Sequence, residues 1–178
     1  MWYFSWLLGL PLAAAYVQRH AVLAYNLMRL MRSLHLDASH ACLTIDEMLQ
    51  VLGPQQLGHW ANLMRSVTHA RVSEASQDRQ AAMQARYIAM QSELDGAPIA
   101  FAVALAAALT HDPQISSRQL PQQVQQALGR QAAPTAAYLQ QAQAAEAWLA
   151  DPAGPAPPAA QLRQLRAAMQ WADSVQAS

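Results

Sequence analysis

Apolar residues recur every three or four positions along almost the whole chain, which predicts helices throughout. Ala, Leu, Gln, Met and Arg dominate and β-branched residues are sparse, a bias that favours helix. Met1–Val17 is apolar with no charge and reads as a first helix. From there Val17, Ala21, Ala24, Leu27 or Met28, and Met31 mark an amphipathic helix, with Arg19, Arg29 and Arg32 on its wet side. His35–Cys42 interrupts the pattern and predicts a loop. Thr44-Ile-Asp-Glu47 is a capping box: the Thr44 hydroxyl accepts from the backbone N–H three residues on, while Glu47 reaches back. It opens a short helix, Ile45–Leu52, that Gly53-Pro54 ends. Gln55 starts another, with Leu57, Trp60, Leu63, Met64 and Val67 on one face. Ser76–Glu93 reads as a long helix with Ala81, Ala85, Ile88 and Ala89 inward.

After a break at Asp95–Pro98, Ile99–Leu109 is almost uninterrupted apolar sequence. It is too short to cross a bilayer, which takes roughly 20 residues, and predicts a buried central helix. Pro121–Leu128 reads as a short amphipathic helix with Pro in its first turn, where the missing N–H costs nothing. Pro134–Leu149 places Tyr138, Ala142, Ala145 and Trp148 in register. Asp151–Pro158 is a proline-rich linker, and Ala160–Val175 a last helix with Leu162, Leu165, Met169 and Ala172 on one stripe. The organisation expected is an apolar helix over 1–17, a helical domain over 18–150, a linker over 151–159 and a C-terminal helix over 160–178.

Composition narrows the function classes. The 178 residues carry eleven basic and eleven acidic side chains, all the basic ones arginine, for a net charge of zero. That balance argues against capture of nucleic acid by clustered cations. Cys42 is the single cysteine, so no disulfide forms within the chain and a reducing cytoplasm suits its bulk. Met1–Val17 lies at the short limit of a membrane span. Trp2, Tyr3 and Trp6 suit a membrane interface, and Arg19, Arg29 and Arg32 beyond it place the rest in the cytoplasm by the positive-inside tendency. The expected location is then the inner membrane, single-pass. Two alternatives stay open: a signal peptide cleaved near Ala13–Ala15, and a first helix that packs inward to complete the core.

Candidate chemistry is thin. His111-Asp112 has the residue types of a metal-dependent phosphohydrolase, yet such a site needs further His and Asp ligands converging from other helices. His35, Asp37, His40 and Cys42 fit no zinc spacing, and no glycine loop cradles phosphate. We expect no catalytic residue, metal or cofactor. Trp60, Trp148 and Trp171 read as core, and the methionines as packing or as an adaptable partner groove.

Two resemblances bear on function. Trp2, Tyr3, Phe4, Trp6 and Gly9 match the opening of the small X subunit of bacterial cytochrome bd oxidases, a single membrane helix. Leu23–Ser33 with Tyr25, Asn26 and Leu27, Thr44–Trp60 with Leu52, Gly53, Leu57 and Trp60, and Leu120–Leu128 resemble the HDOD domain of EAL–HDOD signalling proteins in order and spacing. That resemblance covers about residues 17–178 and implies an all-α, HDOD-like bundle without the metal ligands of HD phosphohydrolases. In that family Asn stands where this chain has Arg32. It implies a non-catalytic protein-interaction or signal-output domain beside cyclic-di-GMP machinery, with signalling proteins as partners and no nucleic acid. The expected fold is this bundle behind an N-terminal apolar helix, a candidate transmembrane segment. The alternative function is a small oxidase subunit that binds the large subunits through residues 1–17. A third reading is a fusion without joint function.

Overall fold

The computed structural model describes residues 2–36, 44–68, 75–96, 99–109, 117–152 and 154–174. Those residues form eight α-helices and one 3-10 turn, with no strand among them: α1 (Trp2–Arg19), α2 (Ala21–Ser33), α3 (Ile45–Thr68), α4 (Ala75–Leu94), α5 (Phe101–Ala108), the 3-10 turn Ser117–Gln119, α6 (Gln122–Arg130), α7 (Ala132–Ala150) and α8 (Ala159–Asp173). The chain is all-α, as its periodicity predicts.

Breaks fall where the sequence places them. The Thr44 N–H donates to Glu47 Oε2 at 3.0 Å and the Glu47 N–H to Thr44 Oγ1 at 3.2 Å, so the capping box forms and starts α3. Within α3, Gly53 stands at φ 73°, ψ 168°, between two helical arms. The following Pro54 forces extended ψ on its neighbour, and only glycine takes that ψ at positive φ without strain. The predicted stop at Gly53-Pro54 is thus a kink between Ile45–Leu52 and the arm after it. Gly96, at φ 74°, follows α4. His35, at φ 55°, follows α2 and takes the left-handed position that usually falls to glycine.

Helix α4 organises the packing, with α1, α2, α5, α7 and α8 all against it. Ala81, Ala82, Ala85 and Ile88 bury one face of it in the main core, with α1, α2, α3, α5, α6 and the start of α7. Met83 and Tyr87 bury another face in a second cluster, with Ala142 and Ala145 of α7 and Leu165, Ala168 and Ala172 of α8. The four predicted inward residues of α4 are all buried, but the sequence shows one stripe where the helix uses two. Small alanines let backbones approach, and α5 exploits this: Ala102 to Ala107 are all buried. Ser92, fully buried at the end of α4, accepts the Ile99 N–H at 2.9 Å and donates to the Ala89 carbonyl at 2.8 Å. One hydroxyl thereby ties the entry of α5 to α4.

The expected fold is corrected at its N-terminal end. No helix among the described residues is long and apolar enough to cross a membrane. Gln18 and Arg19 close α1, and Ser5, Gly9 and Pro11 dilute its apolar content. Instead α1 lays Leu10, Ala14 and Val17, spaced four and three apart, into the main core, while Leu12 and Tyr16 face outward at 76% and 55% exposure. The inward-packing alternative is the one the structure adopts. The HDOD-like bundle behind a separate membrane helix is corrected with it, because α1 belongs to the same core as α2–α6. The proline-rich segment does not detach α8, which packs on α4 and α7; Trp148 Nε1–H donates to the Gly154 carbonyl at 3.2 Å and draws that segment back.

Candidate interaction site at Trp171

Four helices meet at Trp171. The α1–α2 junction delivers Arg19, α4 delivers Arg86, α5 delivers Phe101 and α8 delivers Trp171 itself. The Arg19 and Arg86 guanidinium carbons lie 5.8 Å and 5.7 Å from the Trp171 ring centroid. Phe101 meets the same ring edge-on at 6.0 Å. All four side chains are half-buried. Among the described residues no carboxylate pairs with Arg19 or Arg86, and the buried Nε of Arg19 finds no acceptor. Next to them Arg79, two turns before Arg86 on α4, is ion-paired with Asp173 of α8. One cation of the group is therefore neutralised and two are not.

The local sequence explains this placement. His20, at φ −114° and ψ 96°, breaks the chain between α1 and α2 and gives α2 no cap of its own. Asp78 of α4 supplies it: its Oδ1 accepts the Val22 N–H at 2.6 Å, and its Oδ2 lies 3.6 Å from His20 Nδ1. The His20 ring also contacts Tyr16, with centroids 4.7 Å apart. With the α1–α2 corner pinned to α4, Arg19 is held over the ring of α8. Arg86 reaches it because its neighbours Ala85 and Tyr87 are buried on either side, leaving Arg86 at the seam between the two clusters.

A second polar group closes the other end of α4. The Tyr138 hydroxyl donates to Asp95 Oδ2 at 2.7 Å, a bond that raises the phenol's pKa above its ordinary value, with burial and the Asp95 charge adding to it. Tyr87 is also raised, by burial first and then by the Asp95 charge, and its buried hydroxyl has no hydrogen-bond partner.

The residues singled out in the sequence fall differently. Tyr25, Leu27 and Leu52 are buried in the main core, Leu57 packs against it, and Asn26 is half-buried. The Tyr25 hydroxyl donates to Gln119 Oε1 at 3.2 Å, and Arg29 lies over its ring at 5.7 Å. Gly53 is the kink of α3. Trp60 sits on α3, and Trp2, Tyr3, Phe4, Trp6 and Gly9 on α1; their side chains fall outside the described residues. Asp37, His40, Cys42, His111 and Asp112 also lie outside them, while His35 is exposed. Among the described residues no three of His, Cys, Asp and Glu gather as metal ligands. Trp171 and Trp148, expected in the core, are half-buried. The sequence reading missed Arg86 and gave Arg19 to a membrane flank. The available signal was that Arg86 is the lone cation in the Ala- and Met-rich run 81–90.

No family model matches the chain, and neither the curated proteins nor the solved structures yield a significant match.

Proposed function

We propose that this chain is a non-catalytic helical interaction module for bacterial signalling, and that the Trp171 face is where it meets a partner protein. The observation that carries this reading is the convergence of Trp171, Arg19, Arg86 and Phe101 at one half-buried spot. Trp and Arg are the side chains most enriched among residues that dominate binding energy at protein interfaces. A folded domain gains only about 0.5–2 kcal/mol from each half-buried cation–π contact, and both guanidiniums lack a carboxylate among the described residues. The signalling context rests on the sequence resemblance of residues 17–178. The oxidase-subunit alternative draws no support from α1, which packs Leu10, Ala14 and Val17 inward.

The test is affinity capture from a bacterial lysate with the full chain, compared with Arg19→Gln/Arg86→Gln. The proposal expects a defined partner, identified by mass spectrometry, that binds in purified form and is lost with the double substitution. A purified partner captured equally by both proteins moves the interface elsewhere, and failure to recover any partner that binds in purified form rejects the module.

A further inference from the structure

Resting on that reading, we infer that the Trp171 face binds a carboxylate of an acidic segment of the partner protein, held between Arg19 and Arg86. The first argument is charge. The chain is neutral overall, and Arg79 has its own carboxylate in Asp173, yet Arg19 and Arg86 have none among the described residues. Within the described residues, two cations beside one ring are left unbalanced. The second is hydrogen bonding. A guanidinium presents a planar fork of donors that fits a carboxylate in pairs. The Nε–H of Arg19 is buried, so the terminal amino groups of the half-buried guanidinium are the donors left to meet a ligand. The third is shape. Each guanidinium carbon lies within 6 Å of the Trp171 ring centroid and Phe101 meets that ring edge-on, so an acidic residue at either arginine brings a neighbouring apolar side chain to Trp171 and Phe101.

Phosphate and carboxylate share this fork. Two arginines on a chain of zero net charge are too few for nucleic-acid capture, which gains from neutralising many phosphates together. A protein segment needs only one or two carboxylates and adds apolar contact, and the site offers both.

The experiment is a titration of the full chain with hexaglutamate, followed by Trp fluorescence and by calorimetry, with hexalysine as control. Citrate, inorganic phosphate and a single-stranded oligonucleotide are separate arms. Hexaglutamate is expected to bind and to weaken with added salt. Arg19→Gln and Arg86→Gln should each weaken it by about tenfold, the scale of one lost charge-assisted hydrogen bond. Arg86→Lys keeps the charge but not the fork and should weaken it by less. Trp171→Phe should abolish the fluorescence change while calorimetry still reports binding. Helical circular dichroism of each variant separates loss of the site from loss of the fold. Absence of binding to the unsubstituted chain overturns the inference, as does binding that Arg19→Gln/Arg86→Gln leaves unchanged. Phosphate, oligonucleotide or citrate binding as tightly as hexaglutamate also overturns it, by assigning a different ligand. Failure here with a captured partner that still depends on the arginines removes the acidic segment and leaves the interaction module standing.

Discussion

Asp78 caps a helix it does not belong to: its carboxylate on α4 accepts the Val22 N–H in the first turn of α2 at 2.6 Å. The first N–H groups of a helix have no partner inside it, and a negative charge there is favoured by the helix dipole. Asp78→Ala removes the cap and the nearby His20 contact together. Loss of an N-cap costs about 0.5–2 kcal/mol, and denaturant unfolding should show a shift in that range. Asp78→Asn keeps an acceptor oxygen and should recover most of it. Equal midpoints for Asp78→Ala and the parent would show that α2 starts without this contact.

Gly53 isolates a backbone cost. At φ 73°, ψ 168° it occupies a region essentially closed to other residues, yet a Cβ built there meets nothing within 4 Å. Gly53→Ala should therefore destabilise by roughly 1–3 kcal/mol from the backbone alone. His35 is the converse case, a non-glycine at φ 55° after α2. His35→Gly should raise stability by up to about 1 kcal/mol. Thermal midpoints moving in opposite directions for the two substitutions check both.

These positions also show what the sequence discloses. The capping box, the Gly53-Pro54 stop and one of the two buried faces of α4 are local, set by residues within a turn of one another, and so legible. The N-cap of α2 comes from a residue 56 positions away, and the two-faced burial of α4 depends on where α8 docks. Neither has a local signature. Met1–Val17 misled because an apolar stretch suits a membrane and a core alike; what decides is the i, i+4, i+7 stripe of Leu10, Ala14 and Val17 facing α2 and α3. The site was least legible of all, since Arg19, Arg86, Phe101 and Trp171 are joined only by the tertiary fold.

Ser92 offers a test of a buried polar link. It is fully buried and accepts the Ile99 N–H at 2.9 Å. Ser92→Ala strands that donor in an apolar setting and should cost about 1–3 kcal/mol. Hydrogen exchange of the Ile99 amide should quicken by more than the global loss of stability accounts for. An unchanged rate would mean the amide is protected by something other than the hydroxyl.

Tyr87 and Tyr138 should respond oppositely to loss of the hydroxyl. Tyr138→Phe deletes the 2.7 Å bond to Asp95 and should cost about 1 kcal/mol. Tyr87→Phe deletes a buried hydroxyl with no partner and should be neutral or stabilising. Both phenols have pKa values raised above the ordinary value near 10. The folded state therefore holds these protons more tightly than the unfolded one. Their contribution is intact below about pH 10 and is lost as pH rises through the folded values. Stability measured against pH should fall more gently in Tyr138→Phe than in the parent over that alkaline range.

The central claim is that Arg19 and Arg86 stand beside Trp171 to meet a partner rather than to hold the fold. Thermal unfolding of Arg19→Gln/Arg86→Gln beside the parent tests it most directly, with hexaglutamate binding measured on the same samples. Two half-buried cation–π contacts are worth about 1–2 kcal/mol together at the solvated end of their range, and relief of the repulsion between unpaired cations offsets part of that. The account predicts a melting temperature close to the parent's, with binding lost. A large fall in melting temperature with binding retained would make the cluster structural and contradict the account.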